Sequence, residues 1–212
     1  MAPVTVRIVD VSYVSLPAEA ALPPGDLKLN AMEVQWLVLP LLQHLLFFEG
    51  DQLPPFDTVV QSLQCSLAAT LSYYAPLAGK LVHLADTGDV AIRCSASDGG
   101  GVRFVVAESE ADVRRLAGDE EHDVQTFERL VPELDMTELP APLLAVQATR
   151  LEGAGWLSGS PCTTPSPTGG RCGGSWRRGR RRAGGTHRPC RLRASIARVS
   201  GCTAARSWPV RS

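Results

Sequence analysis

Four histidines are the residues best suited to general acid–base chemistry near neutral pH, because imidazole titrates close to that range. They are His44, His83, His122 and His187. A catalytic base is usually oriented by a third group, and no motif in the sequence as written pairs any of the four with one. His44 lies in an apolar segment, where a packed, hydrogen-bonded histidine is the ordinary interpretation. The sequence as written therefore predicts no catalytic residue.

Cysteines, glycines and serines in the C-terminal part suggest three other kinds of site. The cysteines there have irregular gaps and no Cys-x-x-Cys pair, which argues against a metal site: Cys162, Cys172, Cys190 and Cys202. The glycine run at 169–174 lacks the Lys-Ser/Thr of a phosphate-binding loop. Ser158 and Ser160 do not fit the G-x-S-x-G spacing of a nucleophile elbow. We predict no bound metal and no bound cofactor.

Charge divides the chain into two parts. The 212 residues are 44% hydrophobic, 6% aromatic and 20% charged, as in one ordinary globular domain. All 22 acidic but only 9 basic residues lie up to Gly155, giving −13, whereas the remainder carries 12 arginines and no acidic residue. That remainder has little apolar surface to offset the entropy of folding. We predict a domain over residues 1–155 and an Arg-, Gly-, Pro- and Ser-rich disordered tail over 156–212.

No segment predicts a membrane span. The longest apolar stretch, residues 36–48, contains Pro40, Gln43 and His44 and is shorter than the roughly 20 residues that a bilayer requires. The N-terminal residues lack a charged region followed by a continuous apolar region, as a secretory signal would have. We expect a cytoplasmic protein with reduced cysteines and no membrane partner.

The first half of the domain shows strand and helix patterns. Val4, Val6 and Ile8 alternate with polar residues, which predicts a first strand. Residues 31–48 are apolar and broken by Pro40, so we expect two short helical turns there. From Asp57, the expected N-cap, apolar residues recur at helical spacing, and Pro76 and Gly79 mark the end of this helix: Val60, Leu63, Leu67 and Leu71.

Three β-like runs follow, at residues 90–94, 102–107 and 143–151. A turn-forming sequence at 97–101 separates the first two runs. Residues 111–116 predict a short helix, and the acidic residues 118–123 predict a solvated loop. Together these elements predict a mixed α/β domain.

Residues 62–82, SLQCSLAATLSYYAPLAGKLV, carry the strongest resemblance to a known family. They resemble the helix and Tyr-Pro-Leu-Ala-Gly-Arg-Leu turn of plant BAHD acyltransferases, which acylate alcohols and amines of specialised metabolites from acyl-coenzyme A. Trp36, Leu39, Pro40 and Phe47-Phe48 resemble an upstream family segment, although its usual Phe-Phe-Asp is replaced by Ala-Met-Glu at 31–33. Further matches follow in the expected order at 90–94, 102–107, 130–132 and 142–148. The resemblance covers about residues 4–154.

This resemblance implies an α/β fold, of which the chain would form an incomplete first domain of the two-domain, chloramphenicol acetyltransferase-like fold of CoA-dependent acyltransferases. It implies acyl-CoA, with malonyl-CoA as one candidate, as co-substrate, and a phenolic or flavonoid glucoside as small-molecule acceptor. It also implies a monomer whose second domain, with an Asp-Phe-Gly-Trp-Gly motif, is missing here.

The family's reaction depends on a His-x-x-x-Asp motif, usually His-His-Ala-x-x-Asp-Gly, shortly after the strand at 143–151. Its histidine takes the proton from the acceptor hydroxyl as that hydroxyl attacks the thioester carbonyl. This chain contains no such motif. We therefore expect it to be inactive, with no catalytic, cofactor-binding or metal-binding residue.

A shifted reading frame explains both the missing motif and the change in composition. Joining the last base of each codon to the first two bases of the next converts residues 162–169 into His-His-Ala-Val-Ala-Asp-Gly, with mainly G or C at third codon positions. The same rule converts 155–162 into Val-Ala-Leu-Gly-Val-Ser-Val, a predicted strand, and 169–180 into a predicted amphipathic helix. We interpret the tail as out of frame, through a mutation, a splicing difference or a sequencing error.

An alternative takes the tail as written. The chain would then be a non-catalytic fragment whose arginine-rich arm binds nucleic acid through phosphates, with stacking by Trp176 and Trp208. Incidental RNA binding is expected on either interpretation. The strand at 143–151 would also be left with an unpaired edge, which predicts poor solubility or partial unfolding.

Overall fold

The computed structural model describes residues 4–38, 41–50, 53–95, 101–118, 124–152 and 155–162, together with the backbone of 196–199. Within these residues the helices and strands, in chain order, are β1 Val6–Ser15, β2 Leu27–Lys28, α1 Ala31–Val34, β3 Leu42–Glu49, α2 Phe56–Leu71, β4 Lys80–Leu84, β5 Asp89–Arg93, β6 Gly101–Asp112, α3 Val113–Leu116, α4 Val124–Arg129, β7 Ala141–Pro142, β8 Ala145–Glu152, β9 Gly155–Cys162 and β10 Ile196–Val199. Short 3₁₀ turns occupy Gln35–Val38 and Ala75–Ala78.

The larger sheet has the strand order β1-β6-β8-β9-β3-β10 among the described residues. Neighbouring strands are antiparallel except for β6 and β8, which are parallel and are joined through a connection that contains α3 and α4. β8 and β9 form a hairpin that lies between β6 and β3. β9 therefore pairs with β3, a strand that is far from it in sequence.

A smaller antiparallel sheet has the order β2-β5-β4-β7. Its β4–β5 hairpin turns at Gly88, whose φ of 73° lies in the left-handed region that glycine adopts without strain. Leu81 and Ile92, both almost fully buried, pair across this hairpin and form its core with Leu143.

The larger sheet is covered on two faces. Its helix face packs against α2 and contains Val14, Leu71, Leu77, Phe104 and Val146. Its opposite face packs against α4 and the segment after it through these residues: Leu45, Phe47, Phe127, Leu130 and Leu157. Because side chains alternate along a strand, each strand of the sheet contributes to both faces.

Several predicted elements are confirmed. The first strand is β1, the amphipathic helix is α2, and the three β-like runs correspond to β5, β6 and β8. The predicted end of the helix at Pro76 and Gly79 was wrong, because α2 ends at Leu71 and a separate 3₁₀ turn contains Pro76. The short helix predicted at 111–116 is present as α3, although its first two residues belong to β6. The mixed α/β class predicted from these patterns is confirmed.

The prediction of helical turns across residues 31–48 is only half right. Residues 31–38 are helical, but β3 begins at Leu42 and alternates buried residues such as Leu45 and Phe47 with less buried ones. A short apolar run alone does not distinguish a strand from a helix. Here residues 42–49 form a strand because they pair with β9. The predicted N-cap was also wrong: Pro55 is the N-cap, and Asp57 lies in the first turn of α2.

The expectation of an unpaired edge at residues 143–151 was wrong. β8 lies between β6 and β9, so both of its edges are paired. Residues 156–162, which the composition assigned to the tail, form most of β9. The acidic residues 119–123 and most of the tail, 163–195 and 200–212, lie outside the described residues. The loop and the disorder predicted for them stay predictions, as does a domain boundary near residue 155.

Candidate functional site

The carboxyl end of β9 is the position at which the motif implied by the resemblance would begin. Here Cys162 pairs with Leu42 of β3 on one side and forms an isolated bridge with Leu144 on the other. Cys162 is only 4% exposed. The chain thus leaves the larger sheet from between two neighbouring strands, on a buried residue.

A tight turn shares an apolar core with this exit. Cys162 belongs to the helix-face core together with Leu77 and Ala78 of the 3₁₀ turn. Backbone hydrogen bonds hold that turn, with the Leu77 amide donating to the Tyr74 carbonyl and the Gly79 amide to the Pro76 carbonyl, each at 3.0 Å. The segment with the strongest family resemblance therefore lies in the same core as the end of β9.

Gly79 allows this turn to pass directly into the smaller sheet. A Cβ at this position would lie 2.8 Å from the Arg93 carbonyl oxygen and 2.9 Å from Cγ2 of Ile92. Only glycine fits so close to the neighbouring backbone. Gly79 thereby holds the turn close to β5, while Leu77 and Ala78 pack in the helix-face core.

The side chains of β9 fit their surroundings poorly. The Trp156 ring stacks on Phe48 at 3.9 Å, but its Nε1 is buried without a hydrogen-bond partner among the described residues. The Ser158 Oγ is likewise buried and unpartnered there, and the residue is 3% exposed. By contrast, the buried Gln147 of β8 donates from Nε2 to Thr149 Oγ1 at 3.0 Å. Unpaired buried polar groups are rare in native folds and destabilise them.

Pro161 adds a backbone defect to the same strand. β9 is an interior strand, and proline has no N–H to donate to a neighbouring strand. Pairing of β9 with β8 runs from Gly155 to Gly159 and resumes only as the isolated bridge at Cys162. Pro161 pairs with Gln43 of β3 alone. Trp156 and Ser158 of β9 therefore do not suit positions where their polar atoms are buried, and Pro161 does not suit the hydrogen bonding of an interior strand.

The two histidines within the described residues, His44 and His83, do not assemble a catalytic group. His44 lies on β3 in register with Ser160, and His83 is exposed on β4 in register with Val90. His122 and His187 lie outside the described residues. Sequence spacing already predicted no His–Asp pair, and the structure brings the two described histidines to different sheets.

A metal site or a membrane-spanning helix can be sought only in the described part of the chain. No group of three or more His, Cys, Asp and Glu side chains suited to a metal ion is found among those residues. Within the same ranges, no helix is long and apolar enough to cross a bilayer. Cys172, Cys190 and Cys202, the arginine-rich run and the glycine run lie beyond these ranges, so the nucleic-acid interpretation stays a prediction.

Cys94 is a thiol whose pKa departs clearly from its ordinary value. Burial raises its pKa to about 11, and the negative charge of Asp26 adds to this effect. Asp26 is held as a carboxylate by two hydrogen bonds from Arg93, of 3.0 and 2.7 Å, which lower the pKa of its carboxyl group. Cys94 is therefore a poor nucleophile at neutral pH.

We expect Cys94 to react slowly with iodoacetamide at pH 8. A rise in pKa from 9.0 to about 11 leaves about a hundredfold less thiolate at that pH. The exposed Cys65 on α2 is the internal control. Labelling rates of the two peptides, read by mass spectrometry, check this expectation, and equal rates in the folded protein would contradict it.

The fold matches solved acyltransferase structures. Vinorine synthase superimposes with a TM-score of 0.56 at 19% identity, covering 76% of this chain and 38% of that one. TRI101 of F. sporotrichioides, crystallised with coenzyme A and T-2, superimposes with a TM-score of 0.52 at 18% identity, covering 66% and 34%. The structure therefore has the predicted fold of the first part of a CoA-dependent acyltransferase.

Sequence comparison identifies the family. Residues 6–160 match the Transferase family, which is most of the chain. The chain belongs to this family, and the resemblance to BAHD acyltransferases is confirmed. The match continues to residue 160, within β9 and beyond the change in composition at Gly155.

Two Arabidopsis thaliana proteins are among the similar relatives. Malonyl-CoA:anthocyanidin 5-O-glucoside-6''-O-malonyltransferase is 36% identical over 154 residues, covering 73% of this chain and 33% of that protein. Phenolic glucoside malonyltransferase 1 is 31% identical over 155 residues, covering 72% and 33%. The chain spans about a third of the length of these relatives.

Ser158→Ala is expected to stabilise the protein by about 1–3 kcal/mol, because it removes a buried hydroxyl without a partner among the described residues. Ser72→Ala is the matched control: the Ser72 hydroxyl donates to the Ala69 carbonyl at 2.7 Å, so its loss should lower stability slightly. Urea denaturation with an unchanged m value measures both effects. A lower midpoint for Ser158→Ala would show that its hydroxyl is satisfied.

Proposed function

We propose that the parent protein of this chain is a cytoplasmic acyl-CoA-dependent O-acyltransferase that acylates phenolic or flavonoid glucosides, with malonyl-CoA as donor. The observation that carries this proposal is the 36% identity to a malonyl-CoA:anthocyanidin 5-O-glucoside malonyltransferase over 154 residues. A second malonyltransferase, named for phenolic glucosides, supports the same donor. Coumaroyltransferases at 28% identity are the alternative within the family.

In this reaction the acceptor hydroxyl attacks the thioester carbonyl of the donor. The hydroxyl proton passes to a neutral histidine, the carbon–sulfur bond breaks, and coenzyme A leaves as the thiol after receiving a proton. The sequence as written has no His-x-x-x-Asp motif to do this. We therefore propose that this chain is inactive and that its frame departs from that of the parent protein close to Gly155.

The helix face of β9 supports this change of frame. If one base is missing near Gly155, restoring it replaces each residue of β9 on that face by an apolar one: Trp156→Val, Ser158→Leu, Ser160→Val and Cys162→Val. Ser158 lies in register with Leu46 and Ala148, so a leucine there would meet apolar neighbours. Both unpartnered polar groups would disappear, and the strand would gain the alternation that a sheet against a helix requires.

Two of the remaining positions agree as well, whereas Leu157→Ala would remove a side chain that is fully buried here. Pro161→Ser would return an N–H to the interior strand. The restored frame keeps glycine at position 159, where a Cβ would lie 2.4 Å from the Leu130 carbonyl oxygen. The reconstructed His-His-Ala-Val-Ala-Asp-Gly would begin directly after Cys162, at the exit that shares an apolar core with Leu77 and Ala78 of the turn.

The frame is tested by sequencing gene and transcript across the codons for residues 152–170. One additional base near Gly155 in either is the expected result. If both agree with the present sequence, the chain is a natural truncation and the frame proposal is wrong.

The proposed substrates are tested separately, on the product of the frame-restored gene read to its next stop codon. Malonyl-CoA and coumaroyl-CoA are offered in turn with an anthocyanidin glucoside and a simple phenolic glucoside, and products are identified by mass. We expect malonyl esters of the glucosides. Preferential coumaroyl transfer would overturn the donor assignment, and the absence of transfer to either glucoside would overturn the acceptor assignment.

A further inference from the structure

The first part of β3 carries apolar side chains that lie outside the core under α2. That core contains residues of β1, β6, β8 and β9 but none of β3. Leu42 lies in register with Cys162, a member of that core, so Leu42, His44 and Leu46 lie on the helix face of the larger sheet. Leu42 is 38% exposed, and the other two are half-buried. We call these three residues the β3 strip.

The opposite face of the same strand is fully covered. Leu45 and Phe47 are at most 1% exposed, and the Phe47 ring meets the Phe127 ring of α4 edge-on at 6.2 Å. The exposure of β3 is therefore confined to the strip, where apolar side chains surround one imidazole. Apolar side chains with a few polar groups among them typically line the binding sites of small molecules.

The β3 strip begins beside the position of the reconstructed motif. In His-His-Ala-Val-Ala-Asp-Gly the second histidine has Asp four positions after it, and this histidine would lie two residues after Cys162. Leu42 is the cross-strand partner of Cys162. A cross-strand pair lies about 5 Å apart and two residues span at most about 7 Å, so the Cα atoms of Leu42 and this histidine lie within about 12 Å.

We propose that the β3 strip binds the aromatic aglycone of the glucoside acceptor while a sugar hydroxyl lies at the reconstructed histidine. This inference rests on the proposed function. A hydroxyl that gives its proton to the histidine lies within hydrogen-bonding distance of it, so the aglycone lies one sugar ring further away. Leu42 and Leu46 offer the aglycone apolar surface, and the His44 imidazole between them can hydrogen bond with phenolic hydroxyl groups.

The charges of this region favour the acceptor over the acyl donor as occupant. No lysine or arginine occurs between Lys28 and Lys80, a segment that includes β3, α2 and the 3₁₀ turn at Ala75–Ala78. Acyl-CoA carries several negative charges on its phosphates, and malonyl-CoA adds a carboxylate. Burying such charges without a cationic partner is costly, whereas a phenolic ring requires only apolar contact and a few hydrogen bonds.

The experiment is calorimetric titration of the frame-restored product, without acyl donor, with phenyl glucoside and with methyl glucoside, which lacks an aromatic aglycone. We expect phenyl glucoside to bind more tightly. Leu42→Ala removes three carbon atoms from the contact, so it should weaken binding of phenyl glucoside about tenfold and leave that of methyl glucoside unchanged. Leu42→Met conserves the apolar volume and should retain most of the affinity.

Val124→Ala is the matched control, because Val124 is 48% exposed and begins α4, which packs on the opposite face of the larger sheet. Its affinity for both glucosides should equal that of the unsubstituted product. Thermal unfolding of each variant verifies that the chains are folded. Three results would overturn the proposal: no binding of phenyl glucoside, no effect of Leu42→Ala, or an equal loss of affinity for both glucosides.

Malonyl transfer by the same preparations separates this inference from the proposed function. Binding that depends on Leu42 as expected, without transfer of malonyl to the glucosides, would overturn the proposed function and leave the β3 strip as an aglycone site. Transfer to phenyl glucoside whose KM is the same for Leu42→Ala would overturn the β3 strip and leave the proposed function intact.

Discussion

The chain as written is expected to transfer no acyl group from malonyl-CoA above the uncatalysed rate, whereas the frame-restored product should exceed it by at least about 10²–10⁴-fold. The lower bound is the usual contribution of a general base. Positioning of donor and acceptor adds to it, because oriented reactants no longer have to meet in solution. Release of free thiol from the donor in the presence of the glucoside measures both rates.

Two variants make this comparison specific. Changing the second reconstructed histidine codon to alanine in the frame-restored gene should return the rate close to that of the chain as written. A synonymous change at the same codon should leave the rate intact. Turnover by the chain as written, with purified protein, would show that the residues present already contain a base and that the His-x-x-x-Asp assignment is wrong.

Gly159→Ala is expected to destabilise the protein severely. The new Cβ would lie 2.4 Å from the backbone oxygen of Leu130 and 3.2 Å from Cδ2 of Leu45. Overpacking typically costs about 1–3 kcal/mol, and a clash with backbone has less room to relax than a clash with a side chain. A loss of about 3 kcal/mol corresponds to a fall in Tm of roughly 6–12 °C for a domain of this size.

Gly25→Ala is the matched control, since a Cβ at Gly25 meets no atom within 4 Å and its φ is not positive. Its Tm should stay within a degree or two of the original, as for most surface changes. Calorimetry of both variants makes the comparison. Equal Tm values would mean that β9 does not lie against the segment containing Leu130 in solution.

Prediction from sequence succeeded where the pattern was long and regular. The alternation of Val4, Val6 and Ile8 correctly indicated β1, although a register shift after Ile8 interrupts it, and the three-and-four spacing of Val60, Leu63 and Leu67 defines α2. Such patterns express a local preference that the tertiary structure reinforces. β3 was mistaken in part because its apolar run has no clear period, and its identity depends on a strand more than a hundred residues away.

The site was harder to predict because the turn is encoded in the frame as written, whereas the proposed His-x-x-x-Asp motif is encoded in the shifted frame. The turn with Pro76 and Gly79 was recognisable from sequence, and in the structure it shares an apolar core with the end of β9. β9 itself was not predicted from the residues as written, since Trp156, Ser158 and Pro161 do not alternate as a buried strand should. The unpartnered atoms of Trp156 and Ser158 could be found only once their neighbours were known.

The placement of β9 between β8 and β3 also determines when the sheet can close during synthesis. Leu45 and Phe47 leave the ribosome with β3, but the strand that pairs with them follows roughly a hundred residues later. At about 5–20 residues per second this interval lasts about 6–20 s. Until β9 is synthesised, β3 has no partner on that side and its apolar residues are exposed unless another chain covers them. Closing the long loop between β3 and β9 also slows folding. A change of frame near Gly155 thus alters the strand that joins β3 to β8, and a β9 that pairs poorly would leave β3 exposed in the nascent chain for longer.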